Sequence, residues 1–301
     1  MIRQAYRFAA AACAETIWRC PFLERPFVAS GQAAWAWPGV GRFYRSTASR
    51  LVDRMRRAGS PFRQVTLGDV RIVLDVSEFT AWPLYFGGTP YEPATVDYFA
   101  RTLGPGHVFV DVGANHGYFT MLAASLVGDT GRVVAFEPNP KVFRQLQMHA
   151  ALNHVEARVS LLPTALAESQ GEAKLYISLE DTNSGLSSLT PGAEALALGS
   201  LSEAHTLAVR LDTFDRWLAS SGVDYVDLVK IDVEGAESRV LAGMRASLAA
   251  GTVGAVVCET EWGGPFHRTL CAAGFCAQRL DVFDVLTNIV FTRTASAKAS
   301  H

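Results

Sequence analysis

The segment Phe109–Thr120 has the residue types and spacing of a ligand-binding turn, because an apolar strand pattern passes there into a helix pattern through two glycines. Gly113 and Gly117 allow the backbone to approach a ligand, and the N–H groups at a helix start attract anionic or polar groups. The spacing G-x-N-x-G lacks the middle glycine of the dinucleotide fingerprint. Asp111, just before the first glycine, would repel a pyrophosphate but attract the ammonium group of an amino-acid moiety. The segment therefore favours a nucleoside that carries an amino acid.

A second acidic residue, Glu137, ends the next apolar strand about 20 residues after Gly117, a spacing at which an acid often meets a ribose. A carboxylate at this position accepts hydrogen bonds from both ribose hydroxyls. The alternative is a surface glutamate before the turn at Pro138 and Asn139. Combined with the first segment, the pattern predicts a ribose-binding carboxylate.

A third polar segment lies at the end of another apolar strand, where Lys230, Asp232 and Glu234 alternate with apolar residues. In an extended strand these three side chains point to one side. Such charges are costly at the end of a buried strand unless they are paired, so one interpretation is a self-contained lysine–carboxylate network. The functional interpretation is a polar site at the carboxyl ends of parallel strands, with Asp232 facing a transferring group.

These segments belong to an alternation of strands and helices. Strands are predicted at residues 108–112, 132–136, 159–162, 226–233 and 253–258, each with a helix or insertion after it, and two closing strands at 275–282 and 286–292. Such alternation predicts a doubly wound, mostly parallel α/β sheet with right-handed crossovers. Residues 181–199 are rich in serine, glycine and alanine, which predicts a long loop that either closes over a substrate or stays disordered.

Composition excludes several classes of protein. The chain has 301 residues, 49% of them hydrophobic, and 27 basic against 29 acidic residues give a net charge of −2. It is therefore expected to be globular and not to bind nucleic acid generally. Five cysteines without a CxxC pair indicate reduced thiols in a cytoplasmic protein, and neither zinc-ligand spacing nor another metal motif is present. No apolar run reaches the roughly 18–20 residues that cross a bilayer.

Residues 1–60 differ in composition from the rest, with many alanines and arginines and three tryptophans. Ile2, Tyr6, Ala9, Cys13 and Ile17 recur at helical spacing, so a helical extension is predicted, with residues 61–301 as the main domain. The first helix is expected to pack on the main domain. Alternatively it contacts a membrane surface or a partner weakly, with its arginines facing lipid phosphates.

Together the segments resemble the FkbM-type family of S-adenosylmethionine-dependent methyltransferases. The resemblance covers about residues 85–292 and is carried by Phe109–Thr120, Ala135–Asn139, Ala165–Leu166 with Gly171, Val209–Phe214 and Val229–Glu237. It implies a class I methyltransferase (Rossmann-like) fold, a doubly wound seven-stranded sheet whose last pair is antiparallel. It also implies S-adenosyl-L-methionine as the cofactor.

The resemblance assigns the residues of the cofactor site. The turn from Asp111 to Gly117, with Gly113, Ala114 and Asn115, would hold the methionine part, and Phe119 follows it. Glu137 would hold the ribose, Pro138 and Asn139 would flank the adenine side, and Ala165 and Leu166 would border the adenine. Asp232 and Glu234 would line the acceptor side. His116 stands where an apolar residue is expected.

The resemblance implies methylation of a hydroxyl on a sugar, glycolipid or polyketide-like metabolite. An aliphatic hydroxyl needs a general base or a metal, and Asp232 is the first candidate base. Glu234, Glu259, Glu261 and His267 are weaker candidates, and no dense carboxylate cluster supports a metal-assisted reaction. An NAD-dependent oxidoreductase and a non-catalytic Rossmann-like binding module are the alternative functions.

Overall fold

The computed structural model describes residues 2–78, 81–88, 91–178, 187–190, 201–281 and 286–294. The chain divides into two compact units. The first consists mainly of Met1–Leu67 and Ile72–Tyr91, and the second mainly of Glu92–Glu180 and Ser184–His301.

The first unit is built from helices and a hairpin. Its elements are α1 (Ile2–Arg19), a short 3-10 turn (Pro21–Leu23), α2 (Glu24–Ala34), α3 (Val40–Arg57), the strands β1 (Phe62–Leu67) and β2 (Val70–Asp75), and α4 (Ala81–Gly87). Apolar side chains at helical spacing, such as Ala14 and Ile17 of α1 and Leu51 and Met55 of α3, form its buried core. The buried face of α1 is therefore used for packing between helices.

A buried ionic network joins three elements of this unit. The carboxylate of Glu24 accepts hydrogen bonds from Arg63 Nε at 2.5 Å, from Arg63 Nη2 at 2.9 Å and from the hydroxyl of Tyr85 at 2.7 Å. Burial and this carboxylate raise the pKa of the Tyr85 phenol. The network ties the hairpin and α4 to α2, so the unit reaches beyond residue 60 to residue 91. The division into residues 1–60 and 61–301 stays a prediction.

The second unit contains the predicted alternation. Its helices are α5 (Pro93–Thr102), α6 (Tyr118–Val127), α7 (Pro140–Asn153), α8 (Phe214–Ser221), α9 (Glu237–Ala242), α10 (Arg245–Ala250) and α11 (Pro265–Ala272). Its strands are β3 (Val108–Val112), β4 (Arg132–Phe136), β5 (Val159–Leu162), β6 (Ala165–Leu166), β7 (Gly171–Ser178), β8 (Leu201–Asp212), β9 (Val226–Ile231), β10 (Val253–Glu261), β11 (Phe275–Arg279) and β12 (Leu286–Arg293).

Seven strands form the main sheet in the order β11-β12-β10-β9-β3-β4-β5. The pairs β10–β9, β9–β3, β3–β4 and β4–β5 are parallel, whereas β12 pairs antiparallel with both β10 and β11. Central strands bury both faces, as their near-continuous apolar runs predict. The predicted class I methyltransferase fold is thereby confirmed. The strand order reverses between β3 and β9, and ligands of doubly wound sheets bind outside such a reversal.

Three details differ from the sequence-based expectation. Strand β9 ends at Ile231 rather than at residue 233, and β10 continues to Glu261. A twelve-residue strand, β8, pairs with β6 and β7 in a separate three-stranded sheet that the pattern did not reveal. Of the loop predicted at residues 181–199, only 187–190 lie in the described part of the chain. Within the described residues, no helix combines the length and apolarity needed to span a bilayer.

Candidate active site

Three loops at the carboxyl ends of β3, β4 and β9 are joined to one another by hydrogen bonds. The amides of Gly113 and Ala114 both donate to the carbonyl of Phe136 at 3.0 Å, which folds the loop after β3 toward β4. The amide of Asp232 donates to the carbonyl of Val112 at 3.0 Å, which joins the loop after β9 to β3. The three predicted segments therefore meet at one edge of the sheet.

Close packing around the first loop requires glycine at both Gly113 and Gly117. Gly113 has φ +83°, and a Cβ there would overlap the carbonyl oxygen of Asp232. Gly117 has φ +86°, and a Cβ there would overlap Cδ1 of Leu146. Sequence reasoning assigned these glycines to close ligand approach, but the loops and helices themselves also need them.

Replacing Gly113 by alanine is expected to destabilise the protein by about 3 kcal/mol or more, because a positive φ and a backbone overlap act together. Gly222→Ala is the matched control, since Gly222 also has a positive φ, +69°, but nothing lies within 4 Å of its added Cβ. That control should cost only about 1–2 kcal/mol. Urea unfolding measures both variants, and equal losses would show that the overlap with Asp232 has no energetic consequence.

Glu137 connects the first loop to the second. Its Oε2 accepts from the amide of Asn115 at 2.9 Å, and its Oε1 accepts from the amide of Asn139 at 2.8 Å. Burial raises the pKa of Glu137 to about 7, although the two backbone donors lower it. Each oxygen keeps a second acceptor site, so the carboxylate has the capacity to accept two hydroxyl protons from a diol.

Asp111 lies deeper than the sequence suggested. Only 1% of its surface is exposed, and its Oδ2 accepts from the hydroxyl of Thr120 at 2.6 Å. Burial raises the pKa of Asp111 to about 6, while the charge of Lys230 and the Thr120 hydrogen bond lower it. The hydroxyl of Thr120 thus meets part of the hydrogen-bonding capacity of the Asp111 carboxylate. Asp111 would act on a cofactor ammonium group through its electrostatic field.

Lys230 is a central member of the site that sequence reasoning treated only as one of three strand charges. Its Cα pairs with that of Asp111 across β3 and β9, and its Nζ lies 2.7 Å from Oδ2 of Asp232. The ammonium also lies 4.7 Å from the centroid of the Phe119 ring. With 4% of its surface exposed, Lys230 links the carboxylate below the first loop to the carboxylate after β9. The lysine–carboxylate network considered as an interpretation therefore exists.

Asp232 and Glu234 do not share a strand face as the period-two pattern predicted. β9 has ended by then, and Glu234 adopts a left-handed conformation with φ +52°. The exposed Glu234 is fixed through its carbonyl, which accepts from the hydroxyl of Ser188 at 2.5 Å. Desolvation raises the pKa of Glu234 to about 8, and the charges of Asp232, Glu259 and Glu237 add to the increase. Repulsion from the neighbouring carboxylates thus adds to desolvation in raising the pKa of Glu234.

Another acidic residue contributes to the electrostatics of the site. Glu92, whose φ is +43°, directly precedes α5. Its charge raises the pKa values of Asp111, Tyr118 and Glu259, although burial is the larger cause for each. The sequence shows Glu92 only as an acidic residue before Pro93. This pattern is also typical of an ordinary helix start, so it did not indicate a contribution to the site.

The other predicted cofactor residues have structural roles of their own. The side chain of Asn139 accepts from the amide of Lys141 at 3.0 Å and caps α7, and Pro138 precedes it. Phe119 stacks against Phe99 at 5.2 Å between ring centroids. Three small or apolar side chains are buried, with exposed fractions of 7%, 6% and 2%: Ala114, Ala165 and Leu166. Contact of Ala165 and Leu166 with an adenine would involve mainly backbone atoms.

His116 contributes a backbone contact, because its carbonyl accepts from Nδ1 of His149 at 2.6 Å. His267 packs between Trp262, at a tilted angle, and Phe291, edge to face, with ring centroids 4.6 and 5.6 Å away. It packs as an aromatic side chain. Across the described residues, no three histidine, cysteine, aspartate or glutamate side chains converge into a possible metal site.

One buried polar atom indicates that the first loop receives a ligand. Oδ1 of Asn115 is buried and has no hydrogen-bond partner among the described residues, and Asn115 itself is left-handed with φ +51°. An unsatisfied buried oxygen costs about 1–3 kcal/mol, and strained residues persist where the surroundings enforce them. An acceptor oxygen next to Glu137 fits a donor-rich ligand such as an aminoacyl nucleoside.

Comparison with known proteins matches the same region. A family model described as the methyltransferase FkbM domain matches residues 111–275, more than half of the chain. This range contains every predicted cofactor and acceptor residue.

Individual relatives are similar over shorter stretches. A 31-O-demethyl-FK506 methyltransferase FkbM from Streptomyces tacrolimicus is 33% identical over 166 residues, which are 47% of this chain and 61% of that protein. A protein-L-isoaspartate O-methyltransferase from Aeropyrum pernix is 32% identical over 124 residues, 36% of this chain and 48% of that protein. The matches thus span less than two thirds of these curated relatives. The solved M. jannaschii TYW2 in complex with AdoMet is 13% identical at a TM-score of 0.42, covering 78% of this chain and 87% of that one.

Proposed function

Because the chain belongs to the methyltransferase FkbM family, we propose that it methylates a hydroxyl oxygen on a sugar, glycolipid or polyketide-like metabolite in the cytoplasm. The cofactor is S-adenosyl-L-methionine, and the chain is a methyltransferase. The family sets aside the NAD-dependent oxidoreductase and the non-catalytic binding module. The observation that carries the oxygen assignment is the carboxylate of Asp232 at the strand-order reversal.

The residues around Glu137 fit the cofactor. Glu137 accepts hydrogen bonds from the ribose hydroxyls, and the turn Asp111–Gly117 holds the amino-acid end, with Asn115 Oδ1 supplying an acceptor. Asp111 contributes a negative field from below the turn, which favours the ammonium group. Pro138, Asn139, Ala165 and Leu166 border the adenine side in this proposal, and Phe119 supports the turn from beneath.

Asp232 is the proposed general base. Lys230 holds its Oδ2, and no hydrogen bond to Oδ1 forms within the described part of the chain, so this oxygen is available to an acceptor. A hydroxyl becomes a better nucleophile when a positioned carboxylate takes its proton in the transition state. Glu234, with a pKa of about 8, is placed to donate a hydrogen bond to the acceptor or to take over the proton.

The bound cofactor supplies a methyl group on a positively charged sulfur, which is intrinsically electrophilic. With the cofactor bound, its methyl group would pass from sulfur to the acceptor oxygen and leave S-adenosylhomocysteine. Asp232 would take the proton of the acceptor hydroxyl, so that the product is a neutral methyl ether. The protein's contribution is to hold the oxygen in line and to keep water away from the reacting atoms.

Support for an oxygen acceptor comes from two sources. The similar Streptomyces tacrolimicus protein is named as acting on a 31-O-demethyl compound. In addition, four carboxylates gather near the reaction edge, namely Asp232, Glu234, Glu237 and Glu259, which suits an uncharged hydroxyl that must lose a proton.

The test uses the full chain with cofactor carrying a ¹³C-labelled methyl group and a panel of hydroxylated sugars, glycolipids and polyketides. We expect a labelled product whose methyl carbon resonance identifies an O–CH₃ group. A panel of amines and thiols of matched size is the control. A labelled N–CH₃ or S–CH₃ product, with no labelled ether, would contradict the oxygen assignment while leaving the methyltransferase activity intact.

A further inference from the structure

The first compact unit carries a strong positive charge that the rest of the chain does not share. Its two main segments, residues 1–67 and 72–91, contain eleven arginines, no lysine and five acidic residues, a net charge of +6, whereas the whole chain carries −2. Two of the five acidic residues are engaged inside the unit, Glu15 by Arg19 and Arg54, and Glu24 by Arg63. The unit is therefore a cationic body within an almost neutral protein.

Large apolar side chains are exposed on the same unit. Phe8 is 77% exposed, Trp37 64% and Val40 45%. The solvent-facing side of α1 near Phe8 is apolar as well, since Ala9, Ala11 and Ala12 are exposed there. An exposed helix face usually carries polar residues, so this apolar face departs from the expected pattern.

Two contacts show that these side chains lie near the same end of the pair formed by α1 and α3. The rings of Tyr6 in α1 and Phe43 in α3 lie 6.1 Å apart, and Glu15 pairs with Arg54 further along both helices. Helices α1 and α3 therefore run parallel, with their amino-terminal ends together. Phe8 is near the start of α1, and Trp37 and Val40 lie just before and at the start of α3.

Two exposed arginines lie near the same end. Arg7 is in the second turn of α1 and Arg42 is in the first turn of α3. The positive ends of both helix dipoles point the same way because the helices are parallel. We call the exposed Phe8, Trp37 and Val40 with Arg7 and Arg42 the amino-terminal patch.

We propose that the amino-terminal patch docks on an anionic lipid surface. Aromatic and aliphatic side chains enter the headgroup region while arginines pair with lipid phosphates, which is the arrangement of interfacial anchors. Exposed aromatic residues distinguish a lipid surface from a purely electrostatic polyanion, because a duplex backbone offers them no apolar phase.

The test is flotation of the full chain with extruded vesicles of phosphatidylcholine containing about one third phosphatidylglycerol, compared with pure phosphatidylcholine vesicles. We expect at least about tenfold stronger partition into the anionic vesicles. The double variant Phe8→Ser/Trp37→Ser should lower this partition by about tenfold, and Arg7→Gln/Arg42→Gln by about twentyfold.

The matched control is Phe22→Ser/Arg25→Gln. Phe22 is 75% exposed and Arg25 is exposed, but they follow the other end of α1, about 17 Å along the helix from Phe8. This control should keep partition within about twofold of the wild-type chain. Circular dichroism and thermal melting confirm that each variant is folded.

Equal partition into both kinds of vesicle would overturn the proposal, as would a control variant that loses as much binding as the patch variants. Binding of a short DNA duplex that depends on Arg7 and Arg42 but not on Phe8 and Trp37, without vesicle binding, would assign the patch to nucleic acid instead. Concentration-dependent dimerisation that the patch variants abolish, again without vesicle binding, would assign it to a second copy.

Discussion

Replacing Asp232 by asparagine is expected to lower kcat by about 10²- to 10⁴-fold, the usual range for removal of a general base. Asparagine has nearly the same size, and its amide oxygen still accepts from Nζ of Lys230, which lies 2.7 Å from Oδ2 in the wild-type chain. The variant lacks only the capacity to take a proton. The Kd of S-adenosylhomocysteine should therefore change by less than about threefold.

The control for this prediction is Asp224→Asn. Asp224 is an exposed aspartate just before β9, at the opposite end of the strand that leads to Asp232. We expect its kcat to match that of the wild-type chain. Steady-state kinetics gives kcat and calorimetry gives the Kd. An Asp232→Asn variant with wild-type turnover would remove Asp232 from the base role and leave Glu234 as the candidate.

The second large effect is the pH dependence of cofactor binding through Glu137. Burial raises its pKa to about 7, so about half of the ligand-free protein carries a protonated Glu137 at neutral pH. Only the carboxylate form accepts two hydroxyl protons, because the protonated form presents an O–H donor in place of one acceptor. The Kd of S-adenosylhomocysteine should therefore rise about tenfold from pH 8 to pH 6 and level off above pH 8.

Glu137→Gln should flatten this pH profile and weaken binding at pH 8 by about 10- to 100-fold, the cost of about one charged hydrogen bond. In the wild-type chain the two Glu137 oxygens accept hydrogen bonds from the backbone amides of Asn115 and Asn139. The NH₂ group of the glutamine would face one of these amide donors and could not accept its hydrogen bond. Glu168→Gln is the matched control, because Glu168 forms a partly exposed ion pair with Arg239. Calorimetry across the pH range measures all three chains. A glutamine variant that keeps the wild-type slope would assign the titration to another group.

Three buried strands of the main sheet, β3, β4 and β5, were predicted to the residue. Val108–Val112 and Arg132–Phe136 are short apolar runs bounded by turn residues, so their length and burial leave few alternatives. The end of β9 was not predictable, because Asp232 continues the alternating pattern. The strand ends at Ile231, and the chain then turns with positive φ values at Glu234 and Gly235. The sequence signals this turn only through the glycine.

Contacts between distant residues account for most of what sequence reasoning missed. The ion pair of Glu24 with Arg63 and the hydrogen bond from Tyr85 join residues 39 and 61 positions apart, so the first unit extends past residue 60. Likewise Asp111 was expected to face an ammonium group of the cofactor. In the structure it is held by Thr120, and Lys230 lies opposite on the neighbouring strand.

The acidic turn residues were identified correctly as meeting at one edge, since the carboxyl ends of neighbouring parallel strands must lie together. Their individual environments depend on packing that the pattern does not encode. Glu137 bridges two loops and Glu234 is held beside three other carboxylates, and neither arrangement follows from spacing alone.

The loops after β3 and β4 are expected to bind an aminoacyl nucleoside and no dinucleotide. Titration of the full chain by calorimetry with S-adenosylmethionine, S-adenosylhomocysteine and NAD tests this expectation most directly. We predict that the first two ligands bind with one site per chain and that NAD produces no binding heat. Saturable binding of NAD, with no response to either sulfur nucleoside, would contradict the assignment.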